Sequence, residues 1–429
     1  MEERKYWDPE IETMTINELK ELQGERLRAT VTHAYEDSAF YRQRFDAAGV
    51  KPSDIKSIED ISRLPLLEDK EFRETPIGER ITVPFSEVTK ICSSGGTTGI
   101  PSPFPRTASD WQDIIDRNTR VMWAAGIRPG DIVQIRLMFE CFGIACSNIG
   151  ATNLTICAGR GNMDSQIMLA QMMGSTIIID GLALLLQYLN RAEELGVHIK
   201  DTKLRGAWGM GEGWSDVYTK KMEKKLGLSF LPRAYGASDF GSLVGYECEE
   251  RNGLHISADK CLFEVIDPEN QEILGPGEEG ELVVTTLTLK ALPLIRWKAS
   301  DIAALLPYEP CPCGRTLPKM SQIKGRFIFS VKVSGKRIYP TDVEDVVASV
   351  PGLGDEYQII VDKPGELERL KVKVEVEPQV KDIESLKRKT ETEFNQRLGV
   401  ESEVEIVPVG NIERAMWKAQ RLISTYTKG

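Results

Sequence analysis

Near its C-terminus the chain reads "RLKVKVEVE", in which Leu370, Val372, Val374 and Val376 alternate strictly with charged residues. Successive side chains of a strand point to opposite faces, so this period specifies a strand with one dry face and one wet face. Ile383, Leu386, Thr390, Phe394 and Leu398 then recur at helical spacing, and "EVEIVPV" returns to strand. Together these segments predict a small α+β unit with its own two-layer core. At 429 residues the chain is too long for one small domain, and the boundary is expected near Gly325, giving domains 1–325 and 326–429.

The longer part reads as an α/β body. Ile16 to Asp37 is an amphipathic helix, with Leu19, Leu22, Leu27, Val31 and Ala34 on its apolar stripe. "DIVQIRLMF" (131–139) and "STIIID" (175–180) are short apolar runs, each followed by a helical pattern, which favours a buried α/β sheet. "CLFEVID" (261–267) and "GELVVTTLTL" (280–289) flank a turn-rich stretch and predict a β-hairpin region. The expected fold is therefore a large α/β body with a compact C-terminal cap.

One loop carries chemistry. In "CSSGGTTGIP" (92–101), glycines that permit close backbone approach are interleaved with the hydroxyls of Ser93, Ser94, Thr97 and Thr98. Hydroxyls and successive N–H groups make an anion-binding nest, and the strand-like "VTKIC" before it is a usual placement for a phosphate loop. It is not a Walker A loop, because Gly99 is followed by Ile100 and Pro101 rather than by Lys and Ser or Thr. The plainer alternative is a solvated turn between two elements.

A net charge of −11, with no block of basic residues, argues against nucleic acid as the main partner. The N-terminus "MEERKYWDPE" has no apolar signal region and no run reaches membrane-spanning length, so the expectation is a cytoplasmic protein with no membrane partner. Eight cysteines in a chain of this length do not make a disulfide scaffold, so clustering among them points to metal or to core packing. Cys311 and Cys313 in "CPCGR", with Cys248 and His255 from "CEERNGLH", form a Cys₃His set suited to closed, structural zinc, provided the fold brings the two segments together. The alternative is four unconnected buried residues.

Several motifs then fall in order along nearly the whole chain: "YWDPEIETM", "LQGERLRATVTHAYEDSAFYRQRF", "CSSGGTTGIP", "GMGEGW", "YGASDFG", "PLIRWKASD", "IKGR" and "IERAMWKAQR". In these the chain resembles the phenylacetate–CoA ligase family of the adenylate-forming superfamily. The resemblance implies ATP- and Mg²⁺-dependent activation of a small carboxylic acid, aryl or arylacetic, to an acyl-adenylate, with transfer to CoA as co-substrate. It implies a mobile C-terminal domain and a homodimer as well. Ser93, Ser94, Thr97, Thr98 and Gly99 would hold the β- and γ-phosphates, Gly211 and Glu212 would contact adenine, and Tyr235, Gly236, Ala237 and Ser238 would line the nucleotide beside Asp239, the acid near Mg²⁺. Asp301 would grip the ribose, Arg326 would make a nearby ribose or phosphate contact, and Lys418 would reach the nascent acyl phosphate. Taken singly, these residues have plainer readings: Asp301 as a helix cap, Lys418 as one solvated charge among 54 basic residues.

Three departures from the family pattern stand out. Ile100 occupies a place where many relatives carry Lys, in a loop with an additional glycine. Asp239 replaces Glu. Ile328 and Phe329 replace an acidic pair at the hinge. The last favours an adenylating enzyme with a non-CoA acceptor as an alternative, and Ile100 favours a catalytically silent nucleotide-binding homologue. For the acid pocket, the resemblance points to 138–153, with Phe139 and Phe142 as apolar walls and Gly143 leaving room. Their plainer reading is core.

Overall fold

The computed structural model describes residues 4–93, 102–136, 140–155, 163–211, 213–414 and 421–425. Two compact units form, one from Met1–Gly130, Phe139–Thr152 and Pro232–Gln322, the other from Asp131–Met138, Asn153–Leu231 and Ile323–Gly429.

In the first unit, helix Ile16–Asp37 begins where the sequence predicts it. Thr15 accepts from the Glu18 N–H while the Glu18 carboxylate accepts from Thr15, a reciprocal cap that satisfies two orphan donors. Leu19, Leu27, Val31 and Ala34 are buried as expected. The last three pack into a cluster with Phe40, Tyr41, Phe45, Phe72 and Trp297. Strands Cys261–Ile266 and Gly280–Thr286 pair antiparallel, as the hairpin reading requires, and Trp297–Ala303 extends the ladder. A second antiparallel sheet runs in the order Lys319–Met320, Leu254–Ile256, Ser242–Tyr246, Ala234–Ala237.

The strand before the phosphate loop forms where the sequence predicts it. "VTKIC" is a strand, Val88–Ser93, but it pairs antiparallel with Pro103–Thr107, so the chain turns back as a hairpin before helix Ala108–Ala124 begins. Thr107 caps that helix in a second reciprocal box with Asp110, which fixes where strand ends and helix starts.

The second unit contains a five-stranded sheet in the order Thr152–Thr155, Ile132–Ile135, Ile177–Gly181, Gly206–Met210, Ser229–Phe230. The last four of these strands pair in parallel, and Ile177, Ile178 and Ile179 are fully buried, in line with the apolar runs of the sequence. Its C-terminal portion has a sheet ordered Ser402–Pro408, Leu370–Val376, Leu353–Val361, Leu422–Ser424. Helices Pro340–Ser349 and Ile383–Leu398 belong to the same portion. Leu370, Val372 and Val374 are buried while Val376 is half-buried, and Leu386 and Phe394 join their cluster. The wet face has one exception. Glu375 is buried and accepts from the Gly410 and Ile412 N–H groups and from both ends of the Arg414 guanidinium.

Within this unit, helix Pro340–Ser349 packs on helix Asp216–Leu226. The Ser215 N–H donates to Glu344 at 2.8 Å, and Lys221 and Lys225 pair with Asp355 at 3.1 and 2.6 Å. No helix among the described residues is long and apolar enough to cross a membrane.

Candidate active site

The first unit gathers most of the described motif residues around one turn. Strands Ala234–Ala237 and Ser242–Tyr246 carry "YGASD" between them, with a register irregularity at Tyr235/Gly236. At Gly236 the strands close in so tightly that a Cβ would stand 2.7 Å from Leu243 Cα. Tyr235 is buried and donates its hydroxyl to Asp301 Oδ2 at 2.8 Å, so two residues 66 apart in sequence share one place.

Asp301 is aimed by a bulge. The pairing of Gly280–Thr286 with Trp297–Ala303 slips between Glu281 and Val283, and Ser300 takes a left-handed φ of 62°. A residue without a glycine's freedom seldom adopts that conformation. Here the Ser300 N–H donates to Glu281 at 3.1 Å, and the bulge turns the next side chain towards Tyr235.

Two buried arginines, which sequence reasoning missed, hold the turn itself. Arg106 donates to the carbonyls of Ser238 at 3.2 Å and Asp239 at 2.8 Å, and Arg117 donates to that of Phe240 at 2.9 Å. Burial pulls the Arg106 guanidinium down to about 10. Arg106 lies on the strand that pairs with Val88–Ser93, opposite Lys90, so it links the phosphate-loop hairpin to the Asp239 turn. On the other side, Arg73 Nη2 lies 3.5 Å from Asp239 Oδ1. Flanking prolines give Arg106 no burial signal in the sequence, and "EDKEFRE" around Arg73 reads as an ordinary solvated face.

Ser93 ends its strand opposite Pro103. Ser94, Thr97, Thr98 and Gly99 lie outside the described residues, as do Phe139, Glu212 and Lys418. Phe142 and Gly143 sit on helix Glu140–Ile149, Phe142 fully buried and Gly143 half-buried.

In the second unit, Gly211 follows strand Gly206–Met210 with φ 85°, a conformation suited to glycine. It stands at the carboxyl ends of parallel strands, where ligands of open α/β sheets gather. At the same edge Asp180 and Arg136 form a pair at 2.7 Å, and burial pushes the Asp180 carboxyl up to about 6 despite that cation. Arg326 follows Gly325, whose φ is 143° and whose α-carbon faces the Tyr339 ring.

The four metal-candidate residues converge at another place in the first unit. Cys248, His255, Cys311 and Cys313 are all buried, with their ligand atoms within 4.8 Å of one another. The Cys248–Cys311 sulfurs are 3.7 Å apart and Cys313 Sγ lies 3.5 Å from His255 Nε2. A tetrahedron with Zn–S bonds of about 2.3 Å has edges of roughly 3.8 Å, so the set fits zinc. His255 Nδ1 meets the Leu317 carbonyl at 3.4 Å, which leaves Nε2 turned towards the sulfurs. The segment from Cys311 closes as a knuckle: the Gly314 N–H donates to the Cys311 carbonyl at 2.8 Å and the Arg315 N–H to Cys313 Sγ at 3.5 Å. Gly314 has φ 86°, and the Tyr6 hydroxyl lies where its Cβ would be.

Residues 335–425 match the AMP-binding enzyme C-terminal domain family. Phenylacetate-coenzyme A ligase of Aromatoleum evansii is 34% identical over 97% of this chain and 97% of its own length. The enzyme of the same name from Thermus thermophilus is 33% identical over 95% and 97%. Among solved structures, 2-hydroxyisobutyryl-CoA ligase in its postadenylation state, with 2-HIB-AMP, superposes with a TM-score of 0.90 at 26% identity, over 99% of this chain and 93% of that one. The same ligase with 2-HIB-AMP and CoA in its thioesterification state gives 0.72 at 26% identity, over 99% and 93%.

Proposed function

The chain belongs to the phenylacetate–CoA ligase family of adenylate-forming enzymes, and from that premise we propose that its acid is aryl or arylacetic and that the motif residues act as follows. The reaction is AMP-forming acid–CoA ligation. A carboxylate oxygen attacks the α-phosphorus of ATP and pyrophosphate leaves; the CoA sulfur then attacks the acyl carbonyl and AMP leaves.

Carboxylate and triphosphate repel each other, so the first half needs positive charge and donors along the in-line path. Ser93, Ser94, Thr97, Thr98 and Gly99 hold the β- and γ-phosphates, and Asp239 faces the metal, which when bound neutralises phosphate charge. Gly211 and Glu212 contact adenine, which lies against Tyr235 and the backbone of Gly236, Ala237 and Ser238. Asp301, held by the Tyr235 hydroxyl, accepts from the ribose. Arg326 contacts the ribose or phosphate, and Lys418 brings a flexible point charge to the developing acyl phosphate. Phe139, Phe142 and Gly143 shape the acid pocket. Residues 326–429 act as the cap and turn about the segment 325–330. Zinc in the Cys248, His255, Cys311 and Cys313 set is structural, because four protein ligands leave no open position. A cytoplasmic homodimer acting on small molecules, without nucleic-acid or membrane partners, completes the reading.

The Tyr235–Asp301 hydrogen bond is the observation that carries this proposal, since it joins two motifs that nothing else in the sequence connects. The test is acid-dependent pyrophosphate release with ATP and Mg²⁺ across aryl and short alkyl acids, with and without CoA. Release with matching loss of free thiol, strongest for an aryl or arylacetic acid and abolished in Lys418→Ala, is expected. Full activity in Lys418→Ala, or a preference for short alkyl acids, would overturn the corresponding assignment.

A further inference from the structure

We propose that Arg73 is a further substrate-binding residue of the adenylation step, paired with Asp239 in the free protein and turning to the β- and γ-phosphates when ATP enters with its metal. This rests on the reading that Asp239 faces that metal. The need for such a cation is visible in the sequence. The phosphate loop "CSSGGTTGIP" offers hydroxyls and N–H groups but contains no Lys or Arg, so it brings neutral donors to a highly charged group.

Arg73 is positioned to supply the charge. It stands on the short helix Asp69–Glu74, whose Phe72 is fully buried with its ring edge-on to Trp297 at 5.2 Å and to Phe40 at 5.9 Å. That packing fixes the rotation of the helix. One turn earlier, Asp69 holds Arg73 Nε at 2.5 Å, and the Nη2 end of the fork reaches Asp239 Oδ1 at 3.5 Å. Arg106 and Arg117, the other guanidinium groups at this turn among the described residues, are buried, and their Nη2 atoms donate to backbone carbonyls. The side chain of Arg73 is 23% exposed, so its far end can turn without unpacking the core.

The exchange conserves charge at each step. With ATP and its metal bound, Asp239 would hold the metal, and the Arg73 guanidinium would turn from that carboxylate to phosphate oxygens, for which its planar fork is suited. Arg73 thus keeps Asp239 compensated before ATP enters and neutralises phosphate afterwards.

The decisive comparison is Mg·ATP against AMP, because AMP lacks the β- and γ-phosphates. Calorimetric titration of the whole protein without acid, for wild type, Arg73→Ala and Arg73→Lys, reads both affinities. Loss of a charge-assisted phosphate contact predicts that Arg73→Ala weakens Mg·ATP roughly tenfold or more while AMP stays within about twofold, with Arg73→Lys recovering part of the loss. A purely structural role would weaken both nucleotides alike, and that result, or an unchanged Mg·ATP affinity, would overturn the assignment. Wild-type protein that bound neither nucleotide would instead overturn the adenylating reading on which the inference stands.

Discussion

At Gly236 the peptide of one strand lies against Leu243 of the next with no room for a methyl group, and the Asp239 turn follows directly. Gly236→Ala must push the two strands apart. We expect it to destabilise the protein by about 1–3 kcal/mol, as overpacking does, and to lower adenylation by at least roughly tenfold through misplacement of the turn. Denaturant unfolding and pyrophosphate release measure the two effects, and wild-type values in both would show that the close approach is dispensable. Tyr235, Asp239 and Asp301 could be named from the sequence only through the motifs of the family it resembles. Arg106 and Arg117 could not be. They act on backbone carbonyls, which every residue has, so no pattern of residue types marks their partners.

The hairpin of Val88–Ser93 and Pro103–Thr107 shows what the element scale conceals. Proline lacks an N–H and is admitted to sheets only at edges, so "PSPFPRT" gives a weak strand signal, and the return strand Pro103–Thr107 was not foreseen in the sequence. Conversely, the alternation at Leu370–Val376 was legible because one face is buried, and its exception, Glu375, depended on a partner 39 residues away, Arg414. The knuckle of Cys311–Gly314 lies between these cases. Its spacing was readable, but the approach of Cys248 and His255 depended on the pairing of strand Leu254–Ile256 with Lys319–Met320. Metal analysis should give about one zinc per chain, and chelation should lower Tm by at least about 5 °C. Less than about half an equivalent, or an unchanged Tm, would return these four residues to plain core packing.

For the molecule as a whole, on the proposed reading of residues 326–429 as a cap, two half-reactions at one acyl group would require it to serve each in turn. The described contact of helix Pro340–Ser349 with helix Asp216–Leu226 is reinforced by Asp355. Although burial opposes it, the Lys221 and Lys225 ammonium groups hold the Asp355 carboxyl below the usual carboxylate range. Asp355→Asn should weaken that docking and slow adenylation by about two- to fivefold, the range of a partly exposed ion pair. Thioester formation from preformed acyl-adenylate and CoA should not slow. Equal slowing of both halves would show that this contact does not distinguish them. Strand Leu370–Val376 and helix Ile383–Leu398 were legible through their own periodicity, whereas Ser215, Lys221 and Lys225, which meet Glu344 and Asp355, looked like an ordinary charged helix. The knuckle has one further consequence. Its neighbour Arg315 pairs with the buried Glu12 across 303 residues, and the Tyr6 hydroxyl donates to the Cys313 carbonyl across 307. Tyr6 and Glu12 therefore wait for partners made roughly 15 to 60 seconds later, at about 5–20 residues per second. The first unit cannot close until residue 315 has been made, and until then the segment around Tyr6 and Glu12 is a client for chaperones.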